Sequence, residues 1–157
     1  MTGARTLLIT LCILAAWVFA KPAHSLEGLD VNTVAALETE KEIYISTKRK
    51  SGEWSEPAPV WFDYENGIIY STTSPNSHKA KRINDGRRKV RISVGHPNGP
   101  TFTGIAQTFT DSAIVSRMAE AYDNKYWISW FGFFRPRVDR VETGKTIAYR
   151  VTPQTAN

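Results

Sequence analysis

The segment with the clearest chemical potential spans residues 71–82, where hydroxyl side chains precede a short cationic helix. Thr72 ends an apolar strand, Ser77 is placed to cap the helix, and Lys79 and Arg82 lie in its first turns. Free amide donors and the positive end of the helix dipole favour a bound anion there. Both cations can make charge-assisted bonds to a phosphate. The alternative is a solvated basic helix without a ligand.

A second basic cluster follows the first predicted strand and consists of Lys48, Arg49 and Lys50. Charges at such a position commonly keep a hairpin soluble. If the strand ends and the loop before Ser77 face one cleft, both clusters serve one polyanionic ligand.

Residues 79–91 contain seven cations and one acid, Asp85, which is also the pattern of a nucleic-acid-binding surface. The run lacks interleaved aromatic residues for base stacking. The signal peptide that residues 1–25 predict also argues against nucleic acid as a partner. Peripheral contact with an anionic envelope surface explains the positive charge more simply.

Residues 126–134 read YWISWFGFF, an unusual density of aromatic side chains. Filling of the core or a dimer surface is the simplest explanation, and a wall for a flat aromatic ring is the sharper one. No Ser-His-Asp set, carboxylate pair or Walker-type loop is present. The three histidines and single cysteine lack the spacing of metal ligands, so no metal site is predicted.

The N-terminus has the pattern of a secretory signal peptide over residues 1–25. Arg5 precedes an uncharged apolar stretch over residues 7–20, and Ala20 and Ser25 are plausible cleavage points. We therefore expect a periplasmic or secreted protein, with a signal-anchored form as the alternative. The chain of 157 residues is then a signal peptide followed by one domain over residues 26–157.

The rest of the chain predicts about six strands and three helices. Alternating apolar residues and turn signals mark the strands, and the helices begin near residues 32, 78 and 112. The strands are predicted over residues 42–48, 54–62, 68–71, 89–94, 101–110 and 145–152. The first three, joined by short turns, predict an antiparallel meander. Gly104, in the middle of the fifth strand, indicates a bulge or the close approach of a ligand. This set suits a closed or half-closed antiparallel barrel with helices around it.

Four ordered segments carry a resemblance to a known family. They are residues 45–52 (ISTKRKSG), 59–62 (PVWF), 67–72 (GIIYST) and 77–83 (SHKAKRI). In this order and spacing they resemble the pyridoxamine 5'-phosphate oxidase-like FMN-binding split-barrel family, closest to its small branch that binds FMN or a deazaflavin. The resemblance covers residues 32–153.

The resemblance implies a mainly β fold, a six-stranded antiparallel split barrel with short helices, and a homodimer that holds a flavin in a cleft between subunits. It places Thr47, Lys48 and Arg49 at the flavin ring or ribityl chain, and Thr72, Ser77, Lys79 and Arg82 at the phosphate. His78 stands where members often have an arginine beside the phosphate lysine. The aromatic C-terminal segment of the family falls near Trp127.

The leading hypothesis is an exported oxidoreductase that binds FMN or a deazaflavin and acts on a small substrate. A flavin supplies the redox chemistry itself, which explains the lack of an acid–base constellation. The alternatives are a non-catalytic binding module for haem, flavin or another anionic ligand in the same cleft, and an envelope-associated protein that docks through its basic helix. The catalytic residues and the substrate stay open.

Overall fold

The structure, a computed structural model, describes residues 29–154 of the chain. The predicted signal peptide lies outside these residues. The helices are α1 (Val31–Thr39), α2 (His78–Asn84), α3 (Ser112–Lys125) and α4 (Val138–Glu142), with a 3-10 helix at Trp127–Phe131. The strands are β1 (Glu42–Thr47), β2 (Ala58–Trp61), β3 (Asp63–Glu65), β4 (Ile68–Thr73), β5 (Lys89–Val94), β6 (Thr101–Phe109) and β7 (Ile147–Pro153). Between residues 29 and 154, no helix has the length and apolar character needed to cross a bilayer.

The seven strands form one antiparallel sheet in the order β2-β1-β5-β6-β7-β4-β3. The sheet curls until its β2 edge meets β4. There the carbonyl of Trp61 accepts two hydrogen bonds, from Ser71 Oγ at 2.8 Å and from Tyr122 Oη at 2.7 Å. The prediction of a mainly β, nearly closed antiparallel barrel with short helices is therefore confirmed.

The strand pairing differs from the predicted meander. β2 pairs with β1, but β3 and β4 form a hairpin at the opposite end of the sheet, beside β7. The strand predicted over residues 54–62 is shortened to β2, with an isolated bridge between Trp54 and Lys48. Pro57 and Pro59 cannot donate to a ladder, so the chain pairs only briefly and stays at an edge. The chain then turns into β3, a short strand that was not predicted, so the described residues form seven strands and not six.

Two local features explain turns and close packing in the sheet. Asn66 and Gly67 have positive φ angles of 50° and 78°, as a tight hairpin between β3 and β4 requires. Gly104 lies in a regular stretch of β6, where a Cβ atom would stand 2.6 Å from Val151 Cγ1 and 2.8 Å from the Thr152 carbonyl oxygen. The close approach predicted at Gly104 is therefore that of β7, and no ligand is needed to explain it.

The main core fills the barrel and is sealed by two helices. Leu37 of α1 and Ile83 of α2 pack against fully buried strand residues, among them Ile43, Ile92 and Val151. Burial of each such side chain contributes about 1.5–3 kcal/mol to the free energy of unfolding. The helix α2 that carries the predicted anion site is thereby held on the barrel by its apolar face.

Candidate functional site

A cleft of about 820 Å³ opens where β2 faces the end of β4. Its walls come from four parts of the chain: β2, the loop between β4 and α2, the segment after the 3-10 helix, and the region around α4. The lining includes Pro59, Val60, Trp61, Thr72, Thr73, Ser74, Lys79, Tyr122, Phe134, Arg135, Arg137, Arg140 and Lys145. Glu42 is the one acid among the lining residues, against five cations, so the cleft attracts anions.

The loop between β4 and α2 is organised by Ser77. Its hydroxyl accepts from the Ala80 amide at 3.1 Å, which caps α2, and from the Thr73 hydroxyl at 3.0 Å. Ser77 thus positions the loop instead of lining the cleft. The hydroxyl residues Thr72, Thr73 and Ser74 line it.

Lys79 reaches the cleft from the first turn of α2. It is half-buried, and its Nζ lies 5.5 Å from the ring centroid of the fully buried Tyr149. Between residues 29 and 154 this ammonium has neither a hydrogen-bond acceptor nor an ion pair. Partial burial of a cation without an anion costs free energy, so Lys79 is placed to bind an anionic group.

The aromatic wall of the cleft is built around Trp61. Tyr126 stacks on its indole with ring centroids 4.3 Å apart and planes within 2°, and Phe134 meets it edge-on at 5.2 Å. The Tyr126 hydroxyl fixes this arrangement, since it accepts from the Phe62 amide at 2.9 Å and donates to the Lys41 carbonyl at 2.7 Å. Tyr126 therefore holds the indole of Trp61 in place, and Trp61 with Phe134 presents an aromatic surface that suits a flat ring.

Cations from the C-terminal third complete the cleft. Arg135 makes a bidentate pair with Asp123, with contacts of 2.9–3.0 Å, and its hydrogen bonds lower the pKa of that carboxyl. Arg137 pairs with Asp139. Arg140 has only the Thr146 hydroxyl at 3.2 Å, and Lys145 has no ion pair within the described part of the chain. Arg140 and Lys145 thus carry charge that a ligand can use.

The structure brings some of the predicted site residues together and separates others. Thr72 and Lys79 line the cleft. Arg82 lies behind it, where its Nη1 donates to the buried Thr47 hydroxyl at 2.8 Å. This bond places the end of β1 next to α2, as expected, but neither residue lines the cleft.

The remaining predicted residues lie away from the cleft. Lys48 donates to the Gly52 carbonyl and covers the Trp54 ring, and Arg49 is exposed. His78 begins α2 with an exposed side chain. Trp127 is 72% exposed and contacts Phe131 instead. Within the described part of this chain, therefore, the two basic clusters do not share a cleft.

Several lining residues were missed from the sequence. Trp61 belongs to residues 59–62, which carry the family resemblance, and Phe134 belongs to the aromatic run of residues 126–134, for which a wall for a flat ring was one interpretation. Tyr122 and Arg140 gave no local signal, because their place in the cleft depends on where α3 and α4 pack. The pair Arg135 and Arg137, directly after the aromatic run, was a further hint.

Near the aromatic wall, Lys125 has an unusual environment. Its Nζ lies 3.5 Å from the ring centroid of Phe62, and burial lowers its pKa to about 8. Below about pH 8 Lys125 is protonated in both the folded and the unfolded state, so the cost of burying its charge lowers the free energy of unfolding in full. Between about pH 8 and pH 10 the folded state releases a proton that the unfolded state keeps, so the free energy of unfolding should rise with pH. Above about pH 10 the buried Tyr122, whose pKa is raised, opposes this trend.

Urea denaturation across this pH range measures the effect. In Lys125→Met the rise should disappear, because the ammonium that is buried against Phe62 is gone. An equal rise in both proteins would show that Lys125 is not its source.

Comparisons with known proteins agree on the fold. No protein-family model matches the sequence, and no curated protein matches it. Among solved structures, HutZ, the haem storage protein from Vibrio cholerae, matches with a TM-score of 0.60 and 12% identity over 82% of this chain and 92% of that chain. An F420 reductase matches with a TM-score of 0.54 and 19% identity over 77% of this chain and 92% of that chain.

A protein related to general stress protein 26, of the pyridoxinephosphate oxidase family from Clostridium acetobutylicum, matches with a TM-score of 0.54. It is 11% identical over 77% of this chain and 80% of that chain. The chain therefore has the split-barrel fold of pyridoxamine 5'-phosphate oxidase-like proteins. The resemblance inferred from the sequence is confirmed as a likeness of fold.

Proposed function

We propose that the cleft binds FMN or a related flavin and that the protein is a flavin-dependent oxidoreductase acting on a small substrate. The observation that carries the proposal is Lys79, a half-buried ammonium without an anion, set beside hydroxyl residues at the end of β4. A phosphate there would replace the missing partner.

The residues present fit a flavin in size and chemistry. A cleft of about 820 Å³ is in the range of cofactor sites. Lys79 and the hydroxyls of Thr72 and Ser74 would hold the phosphate, and the wall of Trp61 and Phe134 would pack against the flat ring system. The lining thus offers a cation and hydroxyls for a charged tail and aromatic rings for an apolar head.

A bound flavin would supply the transfer of hydride or electrons to or from the substrate. The chain's own residues would hold its phosphate at Lys79 and orient its ring system against Trp61 and Phe134. Arg140 and Lys145 add positive potential to the cleft, which suits a substrate with an anionic group. These roles need no general acid or base from the protein.

A haem ligand is the second candidate, since a haem storage protein shares the fold. Propionates could use Lys79, and the aromatic wall could contact the porphyrin. Haem iron usually takes a protein ligand such as histidine, but His78 is exposed and does not line the cleft. The cleft therefore favours a flavin over haem.

Export and dimerisation are part of the proposal. Export is supported by the signal-peptide pattern of residues 1–25. A homodimer is supported by the family resemblance and by the exposure of Phe134 at the rim of the cleft, where a second copy could cover it. Light scattering with and without FMN would measure the mass, and a monomer in both samples would contradict the dimer.

The visible spectrum of the purified protein tests the bound ligand. Flavin absorption bands, with FMN released on denaturation and identified by mass, are expected. A deazaflavin mass would keep the site and change the cofactor. A Soret band would favour haem, and a colourless protein that fails to rebind FMN would contradict the flavin proposal.

A further inference from the structure

The guanidinium of Arg140 lines the cleft with most of its hydrogen-bond donors unused. Its Nε donates to the Thr146 hydroxyl at 3.2 Å, and its backbone carbonyl accepts from the Thr146 amide at 3.0 Å. Arg135 and Arg137 are paired with carboxylates, but between residues 29 and 154 the two terminal nitrogens of Arg140 have no acceptor. A guanidinium binds an oxyanion through two parallel N–H groups, so Arg140 is placed to do this.

The register between β4 and β7 places Arg140 beside the hydroxyl loop. Thr73 pairs with Ile147 at the end of this ladder. Ser74 and Thr146 are therefore the next residues outward on the two neighbouring chains, and both line the cleft. Paired residues of antiparallel strands have Cα atoms about 4.5–5.5 Å apart. Because Thr146 holds Arg140 by two hydrogen bonds, the guanidinium stays close to this end of the ladder.

Ser74 also lies next to the start of α2, which carries Lys79. The Ser74 carbonyl accepts from the Ser77 amide at 3.0 Å, two residues before Lys79. The hydroxyl loop thus has Lys79 on the α2 side and Arg140 on the β7 side.

The other charged residues of the lining keep this end of the cleft positive. Lys145 directly precedes Thr146 and has no ion pair in the described part of the chain. Glu42, the one acid of the lining, pairs with Trp61 in the β1–β2 register and so lies on the β2 wall. One phosphate at Lys79 would leave the guanidinium of Arg140 without an acceptor.

We propose that Arg140 and Lys145 form a second oxyanion subsite beside the one at Lys79, so that the cleft takes two neighbouring phosphate groups. The inference rests on the proposed function, because it concerns the same cleft. The second phosphate belongs either to the tail of a dinucleotide cofactor or to a substrate bound beside the cofactor. Both sources present the same chemistry to Arg140.

Inorganic phosphate and pyrophosphate are the probes that test the second subsite. The full chain, freed of bound cofactor, is titrated calorimetrically with each at about 0.15 M salt, which limits long-range effects of charge. Pyrophosphate should bind at least about tenfold more tightly than phosphate, because only pyrophosphate reaches both subsites. Arg140→Ala should weaken pyrophosphate binding at least about tenfold and phosphate binding less than about threefold, since phosphate keeps its contact with Lys79.

Two further variants separate the guanidinium from its charge. Arg140→Lys keeps the charge and loses the planar pair of donors, so pyrophosphate binding should still weaken at least about threefold. Arg150→Ala removes an arginine from β7 that bonds Gln107 and does not line the cleft, and it should leave both affinities unchanged. Circular dichroism confirms that each variant folds like the parent chain.

Titration with FMN and FAD identifies the source of the second phosphate. A cofactor tail predicts that FAD binds at least about tenfold more tightly than FMN and that Arg140→Ala removes the difference. A separate substrate predicts equal affinities for FMN and FAD. The FMN-loaded protein would then still bind inorganic phosphate, and Arg140→Ala would abolish this binding. Either result supports the second subsite.

Unchanged pyrophosphate affinity in Arg140→Ala would overturn the inference, and so would equal losses in Arg140→Ala and Arg150→Ala. If FMN binds through Lys79 and pyrophosphate binds no better than phosphate, the proposed function stands and the second subsite does not. If pyrophosphate binds through Arg140 and no flavin binds, the second subsite stands and the flavin does not.

Discussion

Replacing Lys79 by alanine should weaken FMN binding about 10- to 150-fold, which corresponds to about 1.5–3 kcal/mol for a hydrogen bond to a charged group. The structure gives the reason. The ammonium is half-buried beside the hydroxyl loop and has no anion between residues 29 and 154. A phosphate would form a charge-assisted bond with this ammonium, and its negative charge would compensate the positive charge of the half-buried lysine. Fluorescence titration with FMN measures the change in affinity.

Lys81→Ala provides a matched control for this prediction. Lys81 lies on the same helix and carries the same charge, but its side chain is exposed and does not line the cleft. A long-range effect of net charge would weaken binding equally in both variants and would fall in salt. A specific contact predicts a large loss for Lys79→Ala alone. Unchanged affinity in Lys79→Ala would remove this residue from the site.

Removing the hydroxyl of Tyr126 should lower the free energy of unfolding by about 1–3 kcal/mol, because Tyr126→Phe leaves a buried amide without its acceptor. The hydroxyl accepts from Phe62 and donates to Lys41, and so ties two chain segments that precede and follow the β1–β2 hairpin. The ring is 3% exposed, so water cannot easily replace the lost bonds. Chemical denaturation measures the loss.

Tyr64→Phe is the corresponding control. The Tyr64 hydroxyl is buried and has no hydrogen-bond partner within residues 29–154, so its removal should change the free energy of unfolding by less than about 0.5 kcal/mol or raise it. The two variants delete the same atom from the same residue type. Equal losses would mean that the bonds of Tyr126 contribute nothing specific.

Much of the local structure could be predicted because short-range interactions dictate it. Ser77 caps α2, Asn66 and Gly67 form the hairpin turn, and α3 follows a capping Asp111. The pairing of β2 with β1 was predicted from the short turn between them, but the partners of β4 could not be predicted from its neighbours. A short turn after Trp61 indicated a meander, whereas the actual partners of β4 include β7, nearly eighty residues later. The free energy that selects this pairing comes from closing the barrel around the core.

The candidate site likewise contains some residues that the local sequence predicts and others that only tertiary packing brings to the cleft. The sequence indicated Lys79 and Thr72, which line the cleft, because the hydroxyl residues and the cations of an anion site lie close together in the chain. Tyr122 and Arg140 were not found, since they reach the cleft only through the packing of α3 and α4. Lys48 and Arg49 had suitable chemistry but lie elsewhere, because Lys48 bonds its own hairpin and covers Trp54.

By itself the sequence determined the fold class, the cationic start of α2 and the aromatic character of residues 126–134, since each follows from residue types in adjacent positions. Only the tertiary structure decided that Lys79 faces a cleft while Arg82 turns to Thr47, and that five aromatic side chains point into solvent. Such choices depend on which distant elements pack together. The free energy of burial assigns them across the whole domain, and no local pattern contains that information.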